Sequence, residues 1–303
     1  MKKSRAIALS IIFLMIFATF FSVADCNAYA AKSGGVRIGQ ATNGEGGSLR
    51  GNKAGDQSGG EVSLSNWSYS KGSSSAFHWK YVFRAKDPSV AKQLAANMKA
   101  AAANNHIGYD QQSPDRNSFY DEAKKVGWDI SAIRTNCETT CGSAISVCIN
   151  AAGITVPRTW YSEIIPKDIM KTGAFDCYTS SDYTASPAKL LPGDILCNPD
   201  RHTAMVVESP NPFRFDVSYV DCETSEEETV SIIEGTEIQL NLNNGEGTEI
   251  VTVNDKVDLA DFEPEKGSFK FVGWRQIDDE SFAAAFAGAS VIKTDNERKK
   301  ILD

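Results

Sequence analysis

Residues 140–148 of the chain read TCGSAISVC, and residues 201–207 read RHTAMVV. In the first stretch Cys141 opens a run of small and apolar residues with helical spacing. In the second stretch a lone histidine, His202, opens a short apolar run that is typical of a buried strand. A cysteine nucleophile needs an imidazole that takes its proton and a helix N-terminus that stabilises the thiolate. The two stretches therefore predict a catalytic pair of Cys141 and His202.

Four further segments surround this pair: GDQSGGEV at 55–62, IGYDQ at 107–111, NAAGI at 150–154 and LPGDIL at 191–196. Together they resemble the NlpC-type superfamily of cell-wall cysteine peptidases and amidases, in its phage-like peptidoglycan amidohydrolase branch. The resemblance runs from about residue 36 to about residue 221. It implies a papain-like core in which helices pack on an antiparallel sheet.

The resemblance also implies roles for individual residues. Cys141 corresponds to the nucleophile, His202 to the general base, and Tyr109 to an aromatic residue that lines the cleft and helps to position the scissile carbonyl. The usual nucleophile segment is Asp-Cys-Ser-Ser, whereas this chain has Thr-Cys-Gly-Ser at 140–143. Cys137 lies four residues earlier and is the alternative nucleophile.

A third group should orient the imidazole of His202. If residues 203–208 and 213–220 form a hairpin, alternation of side chains places Asp221 on the face of His202 and turns Asp216 away. Asp221 is therefore the predicted third catalytic residue. A one-residue bulge would exchange the two aspartates.

The secondary-structure pattern supports an α+β fold. Helices are predicted over 89–104, 118–125 and 141–152, and strands over 190–197, 203–207 and 213–220. Helices that precede a set of antiparallel strands are typical of the α+β class. The hydrolase domain is predicted to span 31–222.

The N-terminus has the pattern of a signal peptide over 1–30. Three basic residues precede an apolar run over 6–24, and AYA at 28–30 offers a cleavage site. The apolar run is long, so an uncleaved membrane anchor is the alternative interpretation. Either way, the pattern predicts a protein that is secreted, extracellular or associated with the cell wall.

The chain changes character after Cys222. Residues 223–235 contain an acidic run and are predicted to be a linker. Residues 236–278 resemble one internalin-type B repeat, a small β-grasp-like module, because two alternating runs flank an Asn-Asn-Gly turn and the segment closes on FVGW at 271–274. Residues 279–303 are predicted to be a tail with an Ala-rich helix and a charged end.

The charge of the chain argues against nucleic acid as a partner. The formal net charge is −8, and residues 1–30 hold three basic side chains and one acidic one, so their removal leaves −10. Nucleic-acid binding depends on clustered Lys and Arg. We expect a monomer that binds peptidoglycan or cell-wall peptides at the bacterial surface.

No cofactor or metal is expected. The chain has three histidines, no H-E-x-x-H motif and no phosphate-binding loop. Of seven cysteines, six remain after cleavage of the signal segment, and their connectivity is open. If Cys141 pairs with His202, its thiol pKa should lie below the ~8.5 of a free cysteine.

These observations predict a cysteine hydrolase that cleaves an amide bond of peptidoglycan through an acyl-enzyme. The bond lies either within the stem peptide or between muramic acid and L-alanine. The alternative is a surface-binding protein in which the hydrolase fold has lost its activity.

Overall fold

The computed structural model describes residues 35–44, 53–112, 114–245 and 247–287. The predicted signal segment and the charged end of the predicted tail lie outside these residues. None of the helices in the described ranges is long and apolar enough to cross a membrane.

The strands of the described residues are, in chain order, β1 (Arg37–Ala41), β2 (Val62–Asn66), β3 (Tyr81–Ala85), β4 (Ile107–Tyr109), β5 (Cys137–Thr139), β6 (Phe175–Tyr178), β7 (Ile195–Asn198), β8 (His202–Glu208), β9 (Arg214–Val220), β10 (Glu227–Ile233), β11 (Glu237–Asn241), β12 (Thr248–Thr252), β13 (Val257–Asp258), β14 (Phe271–Asp278) and β15 (Ser281–Phe286). The α-helices are α1 (Pro88–Ala102), α2 (Ser118–Lys125), α3 (Cys141–Ala151), α4 (Ile165–Lys171) and α5 (Ser181–Thr184).

A six-stranded sheet with the order β2-β1-β8-β7-β3-β6 forms the centre of the first part of the chain. All of its neighbouring strands pair antiparallel. Helices α1 and α3 pack on one face of this sheet and on each other. The predicted α+β class, with helices packed on an antiparallel sheet, is confirmed.

Both faces of this sheet are covered, which explains the continuous apolar sequence of its central strands. On the helix side the core includes Leu94, Met98 and Met205. On the other side a second cluster includes Trp79 and Val206. Strand β8 is buried from His202 to Val207, so its sequence shows no alternation of polar and apolar residues.

The three helices predicted over 89–104, 118–125 and 141–152 are confirmed. Asp87 caps α1 by accepting a hydrogen bond from the N–H of Ser89, and a proline occupies the first turn, where its missing N–H costs nothing. The predicted strand over 190–197 is shorter and begins at Ile195, because a turn at Gly193 precedes it with φ at 87°.

The predicted hairpin between β8 and β9 is wrong. Strand β8 pairs with β7 on one edge and β1 on the other, while β9 pairs with β10 and β13 in a separate sheet. A strand has two hydrogen-bonding edges, and those of β8 are both used within the central sheet. Long-range pairing with β1 therefore replaces the expected local pairing.

Strands β9 to β15 form two sheets, with the orders β10-β9-β13 and β12-β11-β15-β14. The predicted linker over 223–235 contains strand β10, which pairs with β9 along its whole length. The Ala-rich helix predicted after residue 279 is wrong, because residues Ser281–Phe286 form β15. Its buried Phe282 and Ala284 pack in the core between β11 and β14. Burial in a sheet overrides the helix propensity of alanine.

Candidate active site

An open cleft of about 650 Å³ contains the predicted nucleophile and base. It lies where the N-terminus of α3, the start of β8 and the residues after β1 and β4 meet. Its lining residues are Thr42, Asn43, Ala76, Phe77, Tyr109, Gln111, Thr140, Cys141, Trp160, Tyr161, Ser162, Glu163, Pro199, Asp200, Arg201 and His202.

Cys141 is the first residue of α3, as the sequence predicted. Thr140 is the N-cap, and Ser143 completes a capping box: the hydroxyl of Thr140 accepts from the N–H of Ser143, and the hydroxyl of Ser143 accepts from the N–H of Thr140 at 2.7 Å. The N–H groups of Cys141 and Gly142 lie within hydrogen-bonding reach of the Cys141 sulfur. The free N-terminal end of the helix therefore faces the sulfur of Cys141.

A third N–H acts on the same thiol from the central sheet. The β1–β8 pairing ends at Gly39 and Met205, so the N–H of Thr203 lies beyond the last rung, and it acts to lower the pKa of Cys141. Cys141 thus lies at the point where the two strands separate. Three backbone donors around one sulfur favour a negative charge that develops there or on an adjacent oxygen.

His202 is held by Gln40 of β1. The Oε1 of Gln40 lies 2.9 Å from Nε2 of His202, and the Nε2 of Gln40 donates to the hydroxyl of Ser65 at 2.9 Å. Because the Gln40 amide donates to Ser65, its oxygen faces the ring, and Nε2 of His202 carries the proton. The other nitrogen, Nδ1, is then unprotonated and is the basic atom of the ring.

Burial sets the protonation states of the pair. It lowers the pKa of His202 to about 4. It also raises the pKa of the Cys141 thiol, against the opposite effect of the three N–H groups. The expected low thiol pKa is therefore wrong for the resting site, because desolvation penalises both charged forms. Both shifts favour a neutral thiol and a neutral imidazole in the resting site.

Gly142 explains the departure from the usual Cys-Ser sequence. A Cβ built on Gly142 would lie 2.4 Å from the carbonyl oxygen of Trp160 and 3.3 Å from the Cα of Tyr161. Backbone at this distance leaves no space for a side chain. Glycine therefore lets the segment around 160–161 pack over the helix N-terminus and form a wall of the cleft.

Tyr109 lies in the cleft at the end of β4. Burial, the neighbouring Cys141 and Asp110 raise its pKa, so its hydroxyl stays protonated. That hydroxyl donates to Gln111 at 3.2 Å. The structure therefore brings Tyr109 to Cys141, as predicted.

Residues of the two motif segments at 55–62 and 107–111 hold Tyr109 in place. The carboxylate of Glu61 accepts from the N–H of Tyr109 at 2.8 Å. A Cβ on Gly108 would lie 2.7 Å from the carbonyl carbon of Gly55, so only glycine allows this approach. Asp56 accepts hydrogen bonds from N–H groups of the turn at 58–62 and so shapes the loop. Asp56, Glu61 and Gly108 therefore support the cleft without lining it.

The sequence profile of one family, described as endolysin-like domain, matches residues 38–211, which is more than half of the chain. The chain belongs to the endolysin-like domain family. No curated protein and no solved structure matches the chain. The family description indicates a cell-wall lytic domain.

The endolysin-like domain contains the whole cleft. Its matched range begins in β1 two residues before Gln40, includes Tyr109, Cys141 and His202, and ends three residues after β8. Strands β9 to β15 lie outside the matched range.

Asp221 lies outside this domain, and the structure does not bring it to His202. Its carboxylate accepts from the N–H groups of Glu223 and Thr224 at 2.9 Å each and closes a turn after β9. Asp216 is exposed on β9, opposite Ser231 of β10. Neither aspartate lines the cleft, because the hairpin that would have placed them there does not form.

Gln40 is the residue that sequence reasoning missed. It lies between Gly39 and Ala41 in a strand that is otherwise mostly apolar, and it is buried. A polar side chain in such a strand indicates a buried hydrogen-bond partner. The sequence does not say which one, because that partner is 162 residues away.

Cys137, the alternative nucleophile, is buried in β5 and is not among the residues that line the cleft. Its sulfur contacts the carbonyl oxygen of His106 at 3.5 Å, and burial raises its pKa to about 12. The geometry therefore favours Cys141.

The six cysteines in the described residues are free thiols. In the same ranges, no group of three or more His, Cys, Asp or Glu side chains is arranged to hold a metal ion.

Proposed function

We propose that the endolysin-like domain is a cysteine hydrolase that cleaves an amide bond of peptidoglycan. One observation carries the proposal: Cys141, at a helix N-terminus with three N–H groups around its sulfur, lines the same cleft as His202, whose imidazole is oriented by Gln40. This combination supplies a nucleophile, an oriented base and donors for a developing charge.

In this mechanism the thiol proton of Cys141 passes to Nδ1 of His202 as the sulfur attacks the amide carbonyl carbon. The carbonyl π electrons move to the oxygen, and the backbone donors at the N-terminus of α3 stabilise the resulting negative charge. When the C–N bond breaks, the imidazolium gives its proton to the leaving amine. Water then attacks the thioester with His202 again as the base, which releases the acid and restores the thiol.

Gln40 performs the orienting role that was predicted for Asp221. Because it is neutral, it fixes the tautomer and the rotation of the ring without adding a charge. A neutral orienting group is consistent with a resting pair that carries no charge.

The finer family assignments belong to the same proposal. The motif segments that support Tyr109 and the Cys141–His202 pair favour the NlpC-type superfamily. The pattern that ends at Trp274 favours an internalin-type B repeat that locates the enzyme at a bacterial surface. The basic and apolar pattern of residues 1–30 favours secretion, with the enzyme extracellular or attached to the wall.

Zymography on purified cell walls tests the proposal. The parent protein should clear the wall, and Cys141→Ala should not. Cys177→Ala is the matched control, because Cys177 is an exposed thiol on β6, outside the lining of the cleft. Mass spectrometry of the released fragments then identifies the bond that is cut.

Clearing that survives Cys141→Ala contradicts the cysteine mechanism. A parent protein that binds walls without clearing them, in the same assay, identifies a surface-binding protein that has lost its activity.

A further inference from the structure

Two separate chain segments form one end of the cleft. The first contains Tyr161, Ser162 and Glu163, and the second is the turn between β7 and β8. The hydroxyl of Ser162 donates to the carbonyl oxygen of Pro199 at 2.9 Å, and the thiol of Cys197 contacts the carbonyl oxygen of Ser162 at 3.5 Å. These contacts join the two segments into one wall.

The ionised side chains of the cleft lining are all on this wall. They are Glu163, Asp200 and Arg201, whereas the residues that line the rest of the cleft are uncharged at neutral pH. Because the charges are confined to this wall, this end of the cleft should favour charged groups of a ligand.

Two of the three charges are available to a ligand. Asp200 is paired with Lys80 at 2.5 Å. Glu163 and Arg201 are exposed, and neither is in an ion pair within the described residues, although the charge of Arg201 also acts to lower the pKa of the neighbouring Asp200. One exposed anion and one exposed cation, both outside any ion pair of the described residues, therefore lie on adjoining segments.

We propose that this wall binds a zwitterionic group of the peptide substrate, with Glu163 receiving an ammonium and Arg201 a carboxylate. The inference depends on the proposed peptide hydrolysis and adds the class of substrate to it. A guanidinium binds a carboxylate through two parallel hydrogen bonds, and a carboxylate accepts hydrogen bonds from an ammonium. Substrates with both groups near the scissile amide should be preferred over those in which either is blocked.

The test uses the muropeptide that the parent protein cleaves fastest, in four forms: unmodified, with the ammonium acetylated, with the carboxylate amidated, and with both blocked. Pairs between exposed charges contribute at most about 1 kcal/mol, so blocking each group should lower kcat/KM about two- to fivefold. The change should appear in KM rather than in kcat, because the contact is the same in the ground state and the transition state.

Two variants assign the groups. Glu163→Gln should cleave the unmodified and acetylated forms at equal rates while it still discriminates against the amidated form. Arg201→Gln should show the reverse. Glu237→Gln and Arg214→Gln are the matched controls, because both residues are exposed on the C-terminal sheets away from the cleft, and both variants should keep the full preference of the parent.

Each outcome has a separate meaning. If the parent cleaves the four forms at equal rates, the zwitterion site is wrong and the proposed hydrolase stands. If either variant lowers kcat/KM for all four forms by one factor, its side chain has a structural role and the assignment is overturned. If the parent cleaves no muropeptide, the proposed function itself fails.

Discussion

The side-chain oxygen of Gln40 lies 2.9 Å from Nε2 of His202, although 162 residues separate them in the chain. This contact exists because β1 and β8 are neighbours in the central sheet and diverge after Gly39 and Met205. The divergence leaves room for the Gln40 side chain on one strand to reach the ring on the other. It also frees the N–H of Thr203 for the sulfur of Cys141. One irregularity of the sheet thus positions both members of the pair.

Replacing Gln40 by leucine should reduce catalysis strongly. The Nε2–H of His202 would lose its acceptor in a buried site, at a cost of about 1–3 kcal/mol, which corresponds to a roughly 5- to 150-fold loss in kcat/KM. Ser65→Ala is the control, since it removes only the bond that fixes the Gln40 amide and should have a smaller effect. Equal kcat/KM values for Gln40→Leu and the parent would show that the contact does not orient the base.

The pH dependence of activity should differ from that of a preformed thiolate–imidazolium pair. Burial lowers the pKa of His202 to about 4, so the ring stays a competent base down to about that pH. Burial also raises the pKa of Cys141, so thiolate should accumulate only at alkaline pH. We expect the acidic limb of kcat/KM near pH 4 and an iodoacetamide rate at Cys141 that rises through pH 7–9. A plateau of labelling between pH 5 and pH 7 would indicate an ion pair instead.

The same histidine should make the fold sensitive to mild acid. Its folded pKa of about 4 lies below the unfolded value of about 6.5, so the unfolded chain binds the extra proton between these pH values. The free energy of unfolding should therefore fall as the pH drops from 6.5 to 4, by at most about 3 kcal/mol from this group. Urea titrations should show a flatter pH dependence for His202→Gln than for the parent. Parallel curves would mean that the ring is protonated in the folded state.

Gly142→Ala should damage both the stability and the active site. The new methyl group would lie 2.4 Å from the carbonyl oxygen of Trp160, and backbone must move to admit it. Overpacking of this kind costs about 1–3 kcal/mol. Gly60→Ala is the matched control, because its Cβ meets only the Ser58 hydroxyl at 3.7 Å. Thermal unfolding and kcat/KM measured on both variants check this. Unchanged thermal unfolding and kcat/KM in Gly142→Ala would show that the backbone at 160–161 can move to admit the methyl group.

Local features of the sequence were predictable because they depend on near neighbours. The cap at Asp87, the proline in the first turn of α1 and the helix that begins at Cys141 follow from residues within one turn. That Cys141 and His202 line one cleft was predictable because the family resemblance pointed to the distant histidine.

Features that depend on distant pairing were not predictable. Proximity in the chain favoured a β8–β9 hairpin, but β1, far away in sequence, takes that edge of β8. The alanines of Ser281–Phe286 favoured a helix, but β11 and β14 flank them in a sheet. Both errors have one cause: local sequence preferences carry no information about which distant strand will pair with a given strand edge.

The pairing of strand β9 determines where a truncated chain can end without exposing core residues. Strand β9 lies after the endolysin-like domain, and both of its edges pair with strands of the C-terminal part, β10 and β13. Trp274 of β14 links to the same region, because its carbonyl oxygen accepts from the N–H of Cys222 at 2.9 Å and its indole donates to Leu259. We therefore expect the boundary between the two parts near residue 212 rather than at the predicted residue 222.

A chain that ends at Ser225 should aggregate, since β9 would keep two unpaired edges and buried side chains such as Phe215 and Val217 would be exposed. A chain that ends at Pro212 removes β9 with its partners and should stay soluble and hydrolyse muropeptides. Its stability should fall, because Lys92 of α1 loses Glu234, which lies 2.5 Å away, and Lys256 is removed from Asp87. Sedimentation and muropeptide hydrolysis by the two truncations decide the boundary. A soluble, active protein ending at Ser225 beside an aggregated one ending at Pro212 would place β9 with the hydrolase domain.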